Sequence, residues 1–148
     1  MLIMTAKLPA KKLFFLAFLL LAALLIPLLL PNSSQNSTIS GKNDAERCAY
    51  LASFGWEVET LAVETAEIAL PELFEESHLS YNEMQKMQGF DLSPLTGKTL
   101  QRHTYRVLNH PCCSSALANL YTYEGKIVAG DIVGAGENGF LSDLKFPQ

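Results

Sequence analysis

The chain has 148 residues, 49% of them hydrophobic, with three cysteines and a formal charge of −4, which is room for one ordinary domain and a targeting segment. Beyond residue 43, seven Lys and Arg stand against fifteen Asp and Glu, a formal charge of −8. That balance argues against nucleic acid and anionic lipid surfaces as partners of this part, because both are held chiefly by Lys and Arg neutralising phosphate.

Residues 1–12 form a basic leader with Lys7, Lys11 and Lys12. Leu13 to Leu30 (LFFLAFLLLAALLIPLLL) then runs for 18 residues without a charge. As a helix this run is about 27 Å long, close to the roughly 30 Å of bilayer hydrocarbon, whereas a secretory h-region has only about 7–15 residues. Only Lys42 follows it before Asp44, so the positive-inside rule puts the N-terminus in the cytoplasm and the remainder outside. The expectation is a single-pass signal-anchor in the cell membrane, with residues 13–30 in the lipid bilayer. Cleavage as a signal peptide is the alternative, although Pro31-Asn32-Ser33-Ser34-Gln35-Asn36 contains no clear Ala-x-Ala site. Residues 31–42 change to Asn, Ser, Gln, Thr and Gly, a composition that cannot bury enough apolar surface to order itself, and read as a flexible stalk.

Residues 43–148 read as the extracytoplasmic domain. Asn43 or Asp44 caps a helix carrying Cys48, Tyr50, Leu51 and Phe54, with Gly55 as its stop. Trp56 to Thr60 alternates with the period of a strand, and Ala62 to Leu70 is a second extended segment. Pro71 suits the first position of a second helix, with Glu72, Glu75 and Glu76 favoured by its dipole, which would run to Gln88. Gly89 ends it in the left-handed conformation, Phe90 and Leu92 pack back, and Ser93-Pro94 and Gly97 make bends before a strand over Thr99 to Asn109. The stretch GFDLSPLTGK is therefore a corner. Gly97-Lys98-Thr99 shares letters with a phosphate loop but lacks its glycine spacing and the helix that should follow. Ala116 to Tyr123 and Lys126 to Val133 flank Glu124-Gly125 and form a hairpin. The tail, Phe140 to Phe146, lies on the sheet edge or forms a short turn. The fold class is α+β: a mainly antiparallel sheet of about four strands packed with two helices, preceded by one transmembrane helix. Trp56, Val58, Leu73, Phe74, Tyr81, Tyr105, Val107, Leu120, Ile127 and Val128 are the expected core.

The order of Phe54-Gly55-Trp56-Glu57-Val58, Tyr81-Asn82 with Gln85, Gln88-Gly89-Phe90-Asp91-Leu92, Gly97-Lys98, Tyr105-Arg106-Val107 and Tyr123 to Asp131 resembles the bacterial domain of unknown function 4830 family. That family occurs on clostridial-type proteins with one N-terminal membrane segment. The resemblance implies a location and a fold and brings no activity with it.

Three groups of residues bear on chemistry. In an oxidising compartment Cys48 can bridge to Cys112 or Cys113, leaving one thiol over; the other reading is three small packed thiols. No Cys-x-x-Cys is present, and His110, Cys112 and Cys113 with His78 or His103 lack the paired spacing of a zinc site. Arg102 and Arg106 share a strand face with Leu100, Thr104 and Leu108. They either form a ligand or partner face or pair across the sheet with Glu57, Glu59 or Glu67. Ser114-Ser115 lacks the setting of a hydrolase nucleophile, and no catalytic, cofactor or metal residue is assigned. The expected function is a membrane-tethered, non-catalytic interaction or regulatory module of the cell envelope that meets an unidentified envelope protein. The alternative is an extracytoplasmic enzyme or thiol protein using Cys112 and Cys113 with His110, or a secreted domain.

Overall fold

The computed structural model describes residues 38–134 and 139–147. The anchor expected at residues 13–30 lies outside them, as does most of the stalk; among the described residues no helix is long and apolar enough to cross a membrane. Those residues form two helices, one short 3-10 turn and a five-stranded antiparallel sheet in the order β1-β2-β3-β4-β5.

Helix α1, Asp44–Ala52, starts where capping chemistry dictates. The Asn43 side chain accepts from the Glu46 amide at 2.9 Å, and the Glu46 carboxylate reaches back to the Lys42 amide at 2.9 Å and the Ser40 hydroxyl at 2.6 Å. This is a capping box with its return bond one residue further out. Gly55 follows with φ +95°.

Trp56 to Thr60 is extended but joins the sheet only through one bridge, Val58 to Val107, with Glu59 N–H donating to Arg106 C=O and Leu108 N–H to Glu57 C=O. Strand β1 follows as Glu64–Ala69. Helix α2 covers Glu76–Met87 and begins five residues later than Pro71. The carbonyls of Leu70 and Pro71, which would accept the first helical bonds, instead share the Gly97 N–H at 3.2 Å each. Leu73 is consequently 81% exposed and leaves the expected core. At the other end Gly89 (φ +87°) closes a Schellman motif, Phe90 N–H donating to Gln85 C=O and Gly89 N–H to Lys86 C=O, both at 3.0 Å.

The corner is held by one side chain. Asn82 accepts from Leu92 N–H at 2.8 Å and donates to Asp91 Oδ1 and Ser93 Oγ at 3.0 Å each, with Ser93–Leu95 as the 3-10 turn. Strands β2 (Thr99–Arg106), β3 (Ala116–Tyr123) and β4 (Lys126–Gly134) make the sheet centre. Glu124 (φ +50°) and Gly125 (φ +74°) give the β3–β4 hairpin the backbone signs of a type I′ turn. The tail adds β5, Phe140–Ser142, on β4, so the sheet has five strands rather than about four.

Alternation along the strands sends the core to both faces. Leu51, Trp56, Tyr105, Leu120, Ile132 and Leu144 pack on the α1 side, and Phe90 joins them. Leu92, Leu100 and Ala129 pack with Phe74, Tyr81 and Tyr121 on the α2 side. Of the other expected core residues, Val107 and Ile127 are buried and Val58 and Val128 half-buried.

Candidate functional site

Helix α2 docks on the sheet through amides. Strand β5 reaches only Ile132 to Gly134 of β4, so Gly130 would present an unpaired backbone. The Gln85 carboxamide takes the place of a strand there: its Nε2 donates to Gly130 C=O at 2.9 Å and its Oε1 accepts Gly130 N–H at 3.0 Å. Gln88 donates to the same carbonyl at 3.0 Å and accepts from Leu144 N–H at 2.9 Å.

Next to this edge lies a buried polar chain. Tyr81 donates to Asp131 Oδ2 at 2.6 Å, Asn119 Nδ2 to Asp131 Oδ1 at 2.8 Å, and Thr104 Oγ1 to Asn119 Oδ1 at 2.7 Å. Burial pushes the Asp131 carboxyl above the usual carboxylate range against the lowering effect of these bonds, and pushes the Tyr121 hydroxyl up to about 12. Sequence pattern did not single out this chain. Its one legible signal was that Asn119 and Asp131, paired across the β3–β4 ladder, are polar in otherwise apolar strands.

A second polar centre occupies the α1 face. Buried Arg47 donates to Tyr105 Oη at 2.6 Å, Gly41 C=O at 2.7 Å and Asp44 Oδ1 at 3.0 Å, while Tyr105 donates to Asp44 Oδ1 at 2.6 Å. The Tyr105 bond, above all, holds the Asp44 carboxyl below its ordinary range. Arg47 and His103 border a polar hollow of about 410 Å3 under the hairpin tip. His103 Nε2 lies 3.1 Å from Thr122 Oγ1, and burial lowers the pKa of its ring. In both centres the acids and hydroxyls are engaged with one another.

The α2 face also carries an apolar cleft of about 210 Å3, lined by Ile68, Leu70, Phe74, His78, Tyr81 and Tyr121 among others. His78 stacks on Phe74 with ring centroids 5.9 Å apart. Its Nδ1 is buried without a hydrogen-bond partner, as is Arg102 Nε.

The sequence-derived candidates fall in separate places. Cys48, on α1, points its Sγ at the Glu59 carbonyl, 3.6 Å away, and burial raises the pKa of its thiol. Cys112 and Cys113 sit in the β2–β3 connection, Cys113 Sγ lying 3.6 Å from Ser115 Oγ. All three are free thiols in this structure. His110 accepts the Cys112 amide on Nδ1 at 3.2 Å and stacks on Trp56 at 5.7 Å, so its Nδ1 is used by backbone. Among the described residues no three His, Cys, Asp or Glu are gathered so that they could hold a metal ion. Arg102 pairs with Glu64 at 2.9 Å and Arg106 with Glu59 at 3.2 Å. Such exposed pairs contribute about 0–1 kcal/mol.

Asp91 gives a prediction in acid. The Asn82 and Ser93 bonds hold its carboxyl at about 2. A carboxyl with a folded pKa below its unfolded value, about 3.9, adds stability above that value and loses it as pH falls through the folded one. Urea midpoints should therefore fall less steeply between about pH 4 and 2 for Asp91→Asn than for the parent. Asp131 has the opposite sign, its raised pKa costing stability as pH climbs past the unfolded value.

Comparison with curated proteins and with solved structures gives no match. Residues 50–132 match the family described as a domain of unknown function, DUF4830. These residues contain the Tyr81–Asp131 bond, the Gln85–Gly130 pairing and the Asn82 corner. Since the match spans more than half of the chain, the protein belongs to the DUF4830 family.

Proposed function

We propose that the protein is a membrane-tethered interaction or regulatory module of the cell envelope, with a cytoplasmic N-terminus and an extracytoplasmic α+β domain. The tether rests on the 18 uncharged residues from Leu13 to Leu30 behind Lys7, Lys11 and Lys12. The observation that carries the non-catalytic part is that the acids of both polar centres are engaged by neighbouring side chains of the fold itself. Asp131, 1% exposed, is held by Tyr81 and Asn119, and half-buried Asp44 gives its Oδ1 to both Tyr105 and Arg47, so the acids of both centres are engaged in structural bonds. A module of this kind works through its surface, and a domain charge of −8 suits basic rather than acidic partners.

Protease added to spheroplasts expressing the full chain should remove residues 43–148 while leaving cytoplasmic markers intact. Protection of the domain would overturn the topology. A mature N-terminus near residues 35 to 41 would replace the tether by a cleaved signal.

A further inference from the structure

Strand β1 is the outermost strand on its side of the sheet. Among the described residues nothing pairs with its outer edge. The Leu70 N–H donates to Lys98 C=O, and with the register Ile68 to Leu100 this turns the even-numbered residues toward β2. The backbone groups of Thr65, Glu67 and Ala69 therefore face outward, a free template for one more strand. Its side chains are mostly exposed, and Leu61 and Val63 just before it are 68% and 47% exposed.

Two further features meet at this edge. Ile68 and Leu70 line the apolar cleft together with Phe74 and His78, so an added strand lies beside a pocket with room for one large apolar side chain. The surrounding charge has a single sign: residues 48–85 hold eight Glu and no Asp, Lys or Arg. Across the ladder, Arg102 is taken by Glu64 and Arg106 by Glu59, and Lys98 stands opposite Leu70 at the far end. Glu67, Glu72 and Glu75 form no ion pair among the described residues. A second copy laid edge to edge would oppose glutamate with glutamate, which like-charge pairing disfavours.

We propose that β1 takes up an extended basic segment of a partner protein as a sixth strand, with one apolar side chain of that segment seated in the cleft between Ile68, Phe74 and His78. Ladder bonds to Thr65, Glu67 and Ala69 supply affinity, the cleft selects the anchor, and the glutamates select lysine or arginine on the alternate positions. This deepens the interaction-module reading and rests on it.

The test uses the full chain in zwitterionic nanodiscs and the probe peptide acetyl-Lys-Thr-Lys-Phe-Lys-Thr-Lys-amide, read by backbone amide shifts and hydrogen exchange. Saturable binding should slow exchange at Thr65, Glu67 and Ala69 at least about tenfold and shift the resonances of Phe74 and His78. Exchanging the peptide lysines for glutamate, its phenylalanine for glycine, or alternate backbone N–H groups for N-methyl should each weaken binding about tenfold or more, as should Glu67→Lys in the protein. Equal binding of the N-methylated or glutamate peptide overturns the proposal. So does equal binding of N-acetylphenylalaninamide, which would make the cleft a small-molecule site. Amides at β1 already slow to exchange before peptide is added would assign the edge to another segment or a second copy, and also overturn it. The protease experiment is independent: loss of peptide binding with correct topology removes the strand-addition site and leaves the tethered module standing.

Discussion

Trp56→Ala should lower the unfolding free energy by about 3–5 kcal/mol, a large part of the roughly 5–15 kcal/mol that holds a domain together. Trp56 is 2% exposed. Its ring meets Phe146 at 4.6 Å and His110 at 5.7 Å, and its Nε1 donates to Leu144 C=O at 2.7 Å. Truncation opens a cavity at the junction of α1, the β2–β3 connection and the tail, and also orphans a buried carbonyl. Trp56→Phe keeps most of the ring packing and loses the bond, so its cost should be markedly smaller. Because this is the only tryptophan in the chain, urea unfolding is best followed by far-UV circular dichroism. A loss below about 1 kcal/mol for Trp56→Ala would show that the site collapses without strain and that the tail adds little.

Gln85→Ala should cost about 2–5 kcal/mol by a different route. Gln85 is fully buried, and its removal leaves Gly130 N–H without an acceptor, the Gly130 carbonyl keeping only Gln88. Gln85→Glu separates the two bonds. The carboxylate still accepts from Gly130 N–H but turns negative charge on Gly130 C=O at a fully buried position, so at neutral pH it should be less stable than Gln85→Ala and should recover as pH falls. Should both variants unfold with the parent, the amide pairing contributes nothing and α2 is held by its apolar contacts alone.

How much of this was legible in the sequence depends on whether the signal was local. Asn43, Gly55, Gly89 and Glu124-Gly125 act through their own backbone and nearest neighbours, and each end or turn stands where its chemistry put it. Pro71 with its following glutamates is an equally good local signal for a helix start, yet a contact from Gly97, distant in sequence, takes the carbonyls that the start would use. Leu73 was lost from the core with that turn. Trp56 to Thr60 has a strand's alternation but pairs only at Val107, one residue past β2. At the polar centres the difficulty was sharper. Gln85, Asn119 and Asp131 look like surface residues one at a time, and only the fold reveals that Asn119 bonds to Asp131 and Gln85 to the Gly130 backbone. The pairing of Arg106 with Glu59 was among the options the strand pattern offered, whereas that of Arg102 with Glu64 depends on the β1 register.

The strand order has a consequence for the order in which the chain can fold. Every strand neighbours the one before it in sequence, so no strand waits for a distant partner and loop-closure entropy is met in small steps, a topology associated with quick folding. Longer reaches lie outside these ladders, where Ile39 and Gly41 bond to the β3–β4 hairpin and the tail is tied back by Leu144. Its carbonyl takes the Trp56 indole and its N–H donates to Gln88, so both bonds need a residue near the end of the described chain. A chain emerging N-terminus first can therefore assemble α1, β1, α2 and the central hairpin in sequence, with Gln85 and Tyr81 docking α2 on β4 and Leu144 then fastening the Trp56 loop and the Gln88 end of α2 last.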